Sequence, residues 1–275
     1  MRETPGLRWA RRAGLTGLGV LVGVPLYALV TTSIKPLADV DDVFRWLPSR
    51  VTLRPYVDMW STVPLSDYLL NSLVVAVATT VLSGLLAVPA AYAVARGRFR
   101  ARAPYVFLLL AVQAAPGLLF LVPLFLLYAE IGDTSGVELI GTYPGLVLAD
   151  LTFVLPFATW LLANHIRALP RELEDAARVD GAGPVRVLLH VVVPTAAPGI
   201  AVVGLFAFLL GWGEVLFASV LAQGRTRTLP VGLHDYATQS AVAWNELTAA
   251  ALVSCVPVLV CILLARRLLP RGFRW

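Results

Sequence analysis

The chain has 275 residues, 58% of them hydrophobic and only 14% charged, with a mean hydropathy of +0.78. That excludes an ordinary water-soluble domain and makes the bilayer the expected solvent. A net charge of +5 and a pI of 9.6 would suit nucleic acid. The basic residues, however, stand in short clusters at the ends of apolar runs rather than in one aromatic-laced patch, so they read as topology signals.

An Arg-rich start leads into an apolar run at about 13–33. Spanning a hydrocarbon core takes roughly 20 apolar helical residues. This run is long enough and no small-x-small cleavage site follows, so it reads as an uncleaved first helix rather than a signal peptide. Gly19 and Gly23 make one small-xxx-small packing pair within it. Residues 34–67, with IKPLADVDDVF and RWLPSRVTLRPYVDMW, are amphipathic and Trp-bearing, as suits a segment lying along the outer interface. Further spans are predicted at about 68–95, 104–128, 143–163, 195–221 and 247–269. In lipid these must be helices, because the backbone has to satisfy its own hydrogen bonds. Pro116, Pro123, Pro156 and Pro257 interrupt the spans. Cys255 and Cys261 share the last one, pointing in different directions, and so are not a disulfide pair. His165, His190 and His234 lack metal-ligand spacing.

An even number of spans puts both termini on one side. With the N-terminus inside, 16 of the 22 Lys and Arg fall there, including Arg96, Arg98, Arg100, Arg102, Arg167, Arg171, Arg178 and Arg186. Lys35, Arg45, Arg50, Arg54, Arg225 and Arg227 fall outside, with the acidic segment of Glu130, Asp133 and Glu138. The positive-inside rule gives N-in, C-in for an all-helical single domain of six spans over 1–275.

Nucleotide hydrolysis needs a glycine loop ending in Lys-Ser/Thr; the lone lysine, Lys35 in SIKPLAD, has none and lies on the wrong side. The sequence also lacks the paired acids or Ser/His arrangement of an intramembrane enzyme. Two acids fall inside spans. Asp150 lies near the outer end of its span, within reach of the interface; Glu214, between Gly213 and Val215, suits either pathway lining or structural hydrogen bonding.

The most informative stretch is cytoplasmic, RALPRELEDAARVDGAGPVRVLLHVVVP, about 165–194. Pro170 suits a first turn, and Glu172, Glu174 and Asp175 suit the positive end of a helix dipole. Leu173, Ala176, Ala177 and Asp180 share a face by their spacing. Asp180-Gly181 stops the helix, and Gly183-Pro184 opens a second one that re-enters the membrane near Pro194. A face of small side chains admits the close approach of another protein, which solvent does not require.

Glu174-Asp175-Ala176-Ala177, two residues, Asp180-Gly181-Ala182, and later Val191, Val193 and Pro194 resemble the EAA loop of the membrane subunits of bacterial ABC importers. Asp175 stands where that family usually has glutamate. Asn71-Ser72-Leu73, Ala91-Tyr92-Ala93, Trp212-Gly213-Glu214 with Leu216-Phe217-Ala218, and Thr228 to Leu233 are similar to the carbohydrate, maltose-type members, in particular the smaller second permease; the usual Asn after Trp212 is Gly213 here.

The resemblance implies a type I importer permease fold and a non-enzymatic subunit holding no cofactor, with ATP and Mg bound by a partner ATPase dimer. It implies a second permease, a binding protein outside, and half of a pathway for a sugar or oligosaccharide. Glu174, Asp175, Ala176, Ala177, Asp180, Gly181, Ala182 and Pro194 would couple to the ATPase, with Trp212 and Glu214 on the pathway. The outer loop 222–246 would reach into the binding protein through Tyr236, Gln239, Ser240 and Trp244. A non-sugar such as a glycerophosphodiester, or an ATP-independent carrier or channel, remain the alternatives.

Overall fold

The structure is a computed structural model that describes residues 5–41, 45–97, 100–238 and 242–268. The described residues are helices joined by turns. In order they are α1 (Pro5–Ser33), α2 (Ala38–Asp41), α3 (Arg54–Thr62), α4 (Leu65–Arg96), α5 (Arg102–Ala114), α6 (Leu118–Ser135), α7 (Tyr143–Ala168), α8 (Glu172–Val179), α9 (Pro184–Thr195), α10 (Ala197–Gly213), α11 (Ala218–Leu221), α12 (Leu229–Ala237) and α13 (Trp244–Leu268). Among the described residues, five helices are long and apolar enough to cross a membrane, or six when α9 and α10, bent by 79°, count as one broken span.

Two predicted spans need correction. The run 104–128 is not one helix. Pro116 has no N–H to continue α5 and disfavours helical backbone at the residue before it; Ala115 is accordingly extended, at φ −78 and ψ 135. The 13 residues of α5 rise only about 20 Å, short of the roughly 30 Å hydrocarbon core. The 18 residues of α6 restart at Leu118 and run to Ser135, so the membrane-length helix lies further along the chain than expected. The run 195–221 likewise stops early, at Gly213, because Glu214 is extended. Pro123, Pro156 and Pro257 do sit inside helices, as do Pro25 and Pro89. A π turn at Leu188–Val192 widens α9 just before Pro194, easing the clash of that ring with the preceding turn.

The chain divides into two compact units. The larger, residues 67–232 with 257–275, holds two apolar clusters. In one, Ala87, Ala91 and Val94 of α4 meet Ala158, Leu162 and Ile166 of α7 and Val187 of α9. Alanines at these positions let helix backbones come close, which is how helices associate when lipid is as apolar as their side chains. The other joins Val75, Tyr128, Leu146 and Val147 to Phe217 and Leu221. Leu85, Phe107, Val122 and Leu259 stay exposed, as a lipid-facing surface requires.

The smaller unit, residues 1–66 with 233–256, is organised around Lys35, which is fully buried and donates to the carbonyl of Arg45. Asn245 donates to the Lys35 carbonyl (3.1 Å), the Asp39 carboxylate accepts the Ser49 N–H (2.7 Å), and the Ser33 and Tyr56 hydroxyls pair at 2.8 Å. Trp46, Leu47, Val57 and Trp60 remain exposed, the pattern expected of an interfacial segment.

Candidate coupling site and membrane cavity

The short helix of the cytoplasmic stretch is α8. It starts at Glu172, so Pro170 precedes the first turn rather than occupying it. Its first turn carries Glu172, Glu174 and Asp175, which stabilise the positive end of the helix dipole. It ends as the Asp-Gly pair predicts. Gly181 is left-handed at φ +84, its N–H bonds the Arg178 carbonyl at 3.0 Å, and the Ala182 N–H bonds the Ala177 carbonyl at 2.9 Å. These two bonds make a Schellman cap, and the positive φ is what calls for glycine. Pro184 then opens α9, as expected.

The motif residues do not all face one way. Asp175, Ala176, Asp180 and Gly181 are exposed, together with Leu173 and with Val179 at 88% exposure. Ala177 and Ala182 are partly buried against the α4/α7 cluster. The expected common face of Leu173, Ala176, Ala177 and Asp180 is therefore split. Ala177 lies on the edge that packs on the chain's own bundle, while Leu173, Ala176 and Asp180 remain available to another molecule. Pro194 sits in α9, just before the bend at Ala196.

Glu174 is buried, at 4% exposure, and each carboxylate oxygen has a partner. Arg96 Nε donates to Oε1 at 2.7 Å; the Tyr92 hydroxyl (3.0 Å) and the Arg178 guanidinium (3.2 Å) donate to Oε2. Arg96 also reaches the Leu169 carbonyl at 2.9 Å, at the end of α7. Arg178 spans the cluster, donating to Tyr92 Oη at 3.1 Å and to Asp175 Oδ1 at 2.7 Å; the Tyr92 contact leads in raising its already high pKa. A buried carboxylate without such partners would be strongly unfavourable. Asp175, by contrast, keeps a 65% exposed side chain in an exposed pair with Arg178, of the kind worth at most about 1 kcal/mol.

The second feature is a cavity of about 460 Å³ lined by Gln113, Asp150, Phe153, Phe206, Gly213 and Glu214, among others. Glu214 faces it, but both oxygens are engaged, accepting the N–H groups of Phe217 (2.8 Å) and Ala218 (2.7 Å). It thus caps the turn into α11 where α10 breaks. Trp212 is buried and stacks on Phe208, centroids 5.8 Å apart. Asp150 does not reach an interface: it is buried, accepts the Thr79 hydroxyl at 3.1 Å, and sits beside Gly211, where an added Cβ would lie 3.1 Å from its Oδ2.

The outer loop is anchored by residues whose role the sequence had not shown. The Asn71 amide donates to the carbonyls of Arg225 and Arg227, both at 2.8 Å, and its Oδ1 accepts from Tyr143 at 2.6 Å. Ser72 Oγ accepts the Leu229 N–H at 2.8 Å, and Gly232 packs so closely on the Tyr68 ring that a Cβ would clash at 2.2 Å. Separately, Tyr236 is buried, its hydroxyl accepting the Ala243 N–H at 3.0 Å, and burial raises its phenol pKa; Trp244 is 46% exposed. Gln239 and Ser240 lie outside the described residues.

Comparison with known proteins bears on these features. The family model "Binding-protein-dependent transport system inner membrane component" matches residues 83–275. A sulfoquinovosyl glycerol transport system permease protein of Agrobacterium fabrum is 36% identical over 87% of this chain and 83% of its own length. A trehalose transport system permease protein of Mycobacterium tuberculosis is 32% identical over 90% and 89% respectively. Among solved structures, a chain of a bacterial ABC transporter that imports the acidic polysaccharide alginate superposes with a TM-score of 0.78 at 21% identity. That match covers 97% of this chain and 99% of that one.

Proposed function

We propose, starting from the fact that this chain belongs to the binding-protein-dependent transport system inner membrane component family, that it forms half of the translocation pathway of an ATP-driven sugar importer. It is a multi-pass membrane permease with no nucleotide-binding motif, so ATP and Mg belong to a partner ATPase dimer. A second permease and an extracytoplasmic binding protein complete the assembly, with the termini of this chain inside. A sugar or oligosaccharide is the favoured substrate class, since the sulfoquinovosyl glycerol and trehalose permeases are close relatives along most of the chain.

The observation that carries this reading is α8, a capped helix that is fastened to its bundle on one side and presents Leu173, Asp175, Ala176, Val179 and Asp180 on the other. Closing of an ATPase dimer against that face would move α8, with Glu174, Ala177, Gly181, Ala182 and Pro194 shaping its seat, and switch the side to which the bundle opens. Glu214 enters as a residue that lines the cavity rather than as a free ligand, because both its oxygens already hold backbone N–H groups, and Trp212, stacked on Phe208, enters as a pathway residue beside it. Tyr236, Gln239, Ser240 and Trp244 are proposed to meet the binding protein.

The test is purification with native partners. An ATPase that co-purifies, and uptake that needs ATP and the binding protein, are expected; uptake without either supports the carrier alternative instead. Thermal-shift screening of the binding protein against sugars and glycerophosphodiesters then decides the substrate class.

A further inference from the structure

Tyr92 and Arg96 lie one turn apart near the end of α4, on one face, and both are directed to the Glu174 carboxylate of α8. Arg96 is a fork: Nε binds Glu174, and a second nitrogen binds the Leu169 carbonyl where α7 ends. One guanidinium therefore joins three helices at a site where its own side chain is 9% exposed and that of Glu174 5%. The apolar grip of α8 is slight by comparison. Ala177 is its partly buried apolar contact with the bundle, while Leu173 and Val179 point away. A helix held by one methyl group would tilt or slide when pushed. A helix held by a buried, directional ion and hydrogen-bond cluster cannot do so without leaving a desolvated charge unpaired.

We infer that Glu174, Arg96 and Tyr92 make α8 and the ends of α4 and α7 one rigid body, with Arg96 the positioning residue that carries displacement of α8 into the spans. This rests on the importer reading and adds the route by which force enters the bundle. The neighbouring acids of the motif differ: Glu174 faces inward and transmits, while Asp175 faces outward and is paired with Arg178.

The experiment uses the complete importer in nanodiscs, with Cys255 and Cys261 replaced by serine and Gly213→Cys as reporter. Gly213 lines the cavity and has open space where a side chain would go. The rate of its modification by a membrane-impermeant maleimide is measured with and without ATP plus orthovanadate. In the reference protein, trapping is expected to change that rate about 5-fold or more. Arg96→Gln should shrink the change to less than about 2-fold, while the complex and its vanadate-trapped nucleotide stay at reference amounts; Arg96→Lys, which keeps the charge but not the fork, should fall between. A full-size change in Arg96→Gln overturns the proposal. If Arg96→Gln yields no complex, Tyr92→Phe, which removes a single hydroxyl, decides by the same criterion. A complex that traps nucleotide with no change at Gly213→Cys in the reference protein also overturns the proposal, since displacement then does not reach the cavity; a reference protein that binds no ATPase instead refutes the importer reading, and the fastening falls with it.

Discussion

The stretch between α7 and α9 buries the carboxylate of Glu174 and the segment between α1 and α3 buries Lys35 and Asp39, and the partners of these charges come from different parts of the chain. Glu174 is met by side chains, those of Tyr92 and Arg96, 82 and 78 positions away, and that of Arg178, four positions away. Lys35 donates to a backbone carbonyl, that of Arg45, ten positions away. Every residue brings a carbonyl, but only particular residues bring a guanidinium or a phenol. The cytoplasmic loop must therefore carry fixed residue types at fixed spacing and reads as a motif. Where a need is met by a backbone carbonyl, as that of Arg45 meets Lys35, the sequence leaves less trace, and the outer segment reads only as amphipathic.

The largest test of this contrast removes one charge from each site. Arg96→Ala leaves Glu174 Oε1 buried without its donor while Tyr92 and Arg178 still hold Oε2, so the loss approaches, without exceeding, the cost of about 3–5 kcal/mol for a broken buried pair. Lys35→Met keeps the length and apolar stem, removes the buried charge itself and leaves the Arg45 carbonyl without its donor, a loss of about 1–3 kcal/mol. Thermal unfolding of the two purified variants in detergent should rank Arg96→Ala well below Lys35→Met. Equal losses would mean that the Glu174 cluster is no more specific than the outer segment.

Next in size is the division of the alanines. Ala177 packs on the cluster of Ala91, Val94 and Ile166, so Ala177→Leu overpacks it at a cost of about 1–3 kcal/mol. Ala176 faces outward, and Ala176→Leu should leave the melting point of the isolated chain unchanged while weakening retention of the ATPase. Reversal of the two outcomes would turn α8 around. A smaller effect is expected at the cap. Gly181 has open space around it, so Gly181→Ala meets no clash, but its φ of +84 costs an L-residue about 1–2 kcal/mol. Gly183, at φ −70 and equally open, is the control; Gly183→Ala should be neutral. Amide exchange across 172–182 reads the difference.

How much of this the sequence disclosed follows from the same distinction. Spans that rest on sheer apolar length, such as α4, α7 and α13, are legible because the bilayer admits one solution. The cap at Asp180-Gly181 is legible because only glycine tolerates that φ without strain. The fate of Pro116 is not, since a proline in a span either kinks a helix, as Pro123 does, or ends it, and neighbouring helices decide. Nor is the choice between Glu174 and Asp175. Adjacent residues differ by about 100° around a helix, and which acid turns inward depends on Tyr92 and Arg96, far away in the chain. Arg96 itself is hidden in plain view, because a cation at a span end already has a topological explanation. Glu214 shows a further limit of the sequence. An acid there suits either pathway lining or structural hydrogen bonding, and it does line the cavity while its two oxygens cap a helix break that the apolar run conceals.

The smallest effect belongs to the outer segment and shows what a weakly specified site can still do. Hydrogen bonding from Ser49, chiefly, with Arg45 and Lys35 adding attraction, holds the Asp39 carboxyl below its ordinary value of 3.8. A depressed folded-state value means that the unfolded chain binds the proton more readily, so the Asp39 contribution is complete above about 3.8 and fades as pH falls through the lower folded value. No change is expected between pH 7 and pH 5. Below that window, amide exchange of residues 45–53 should rise as Asp39 takes up its proton and its hold on the Ser49 N–H weakens. Asp39→Asn should show raised exchange at Ser49 already at neutral pH and lose the acid-dependent step. An acid step that persists unchanged in Asp39→Asn would assign it to another group of this segment.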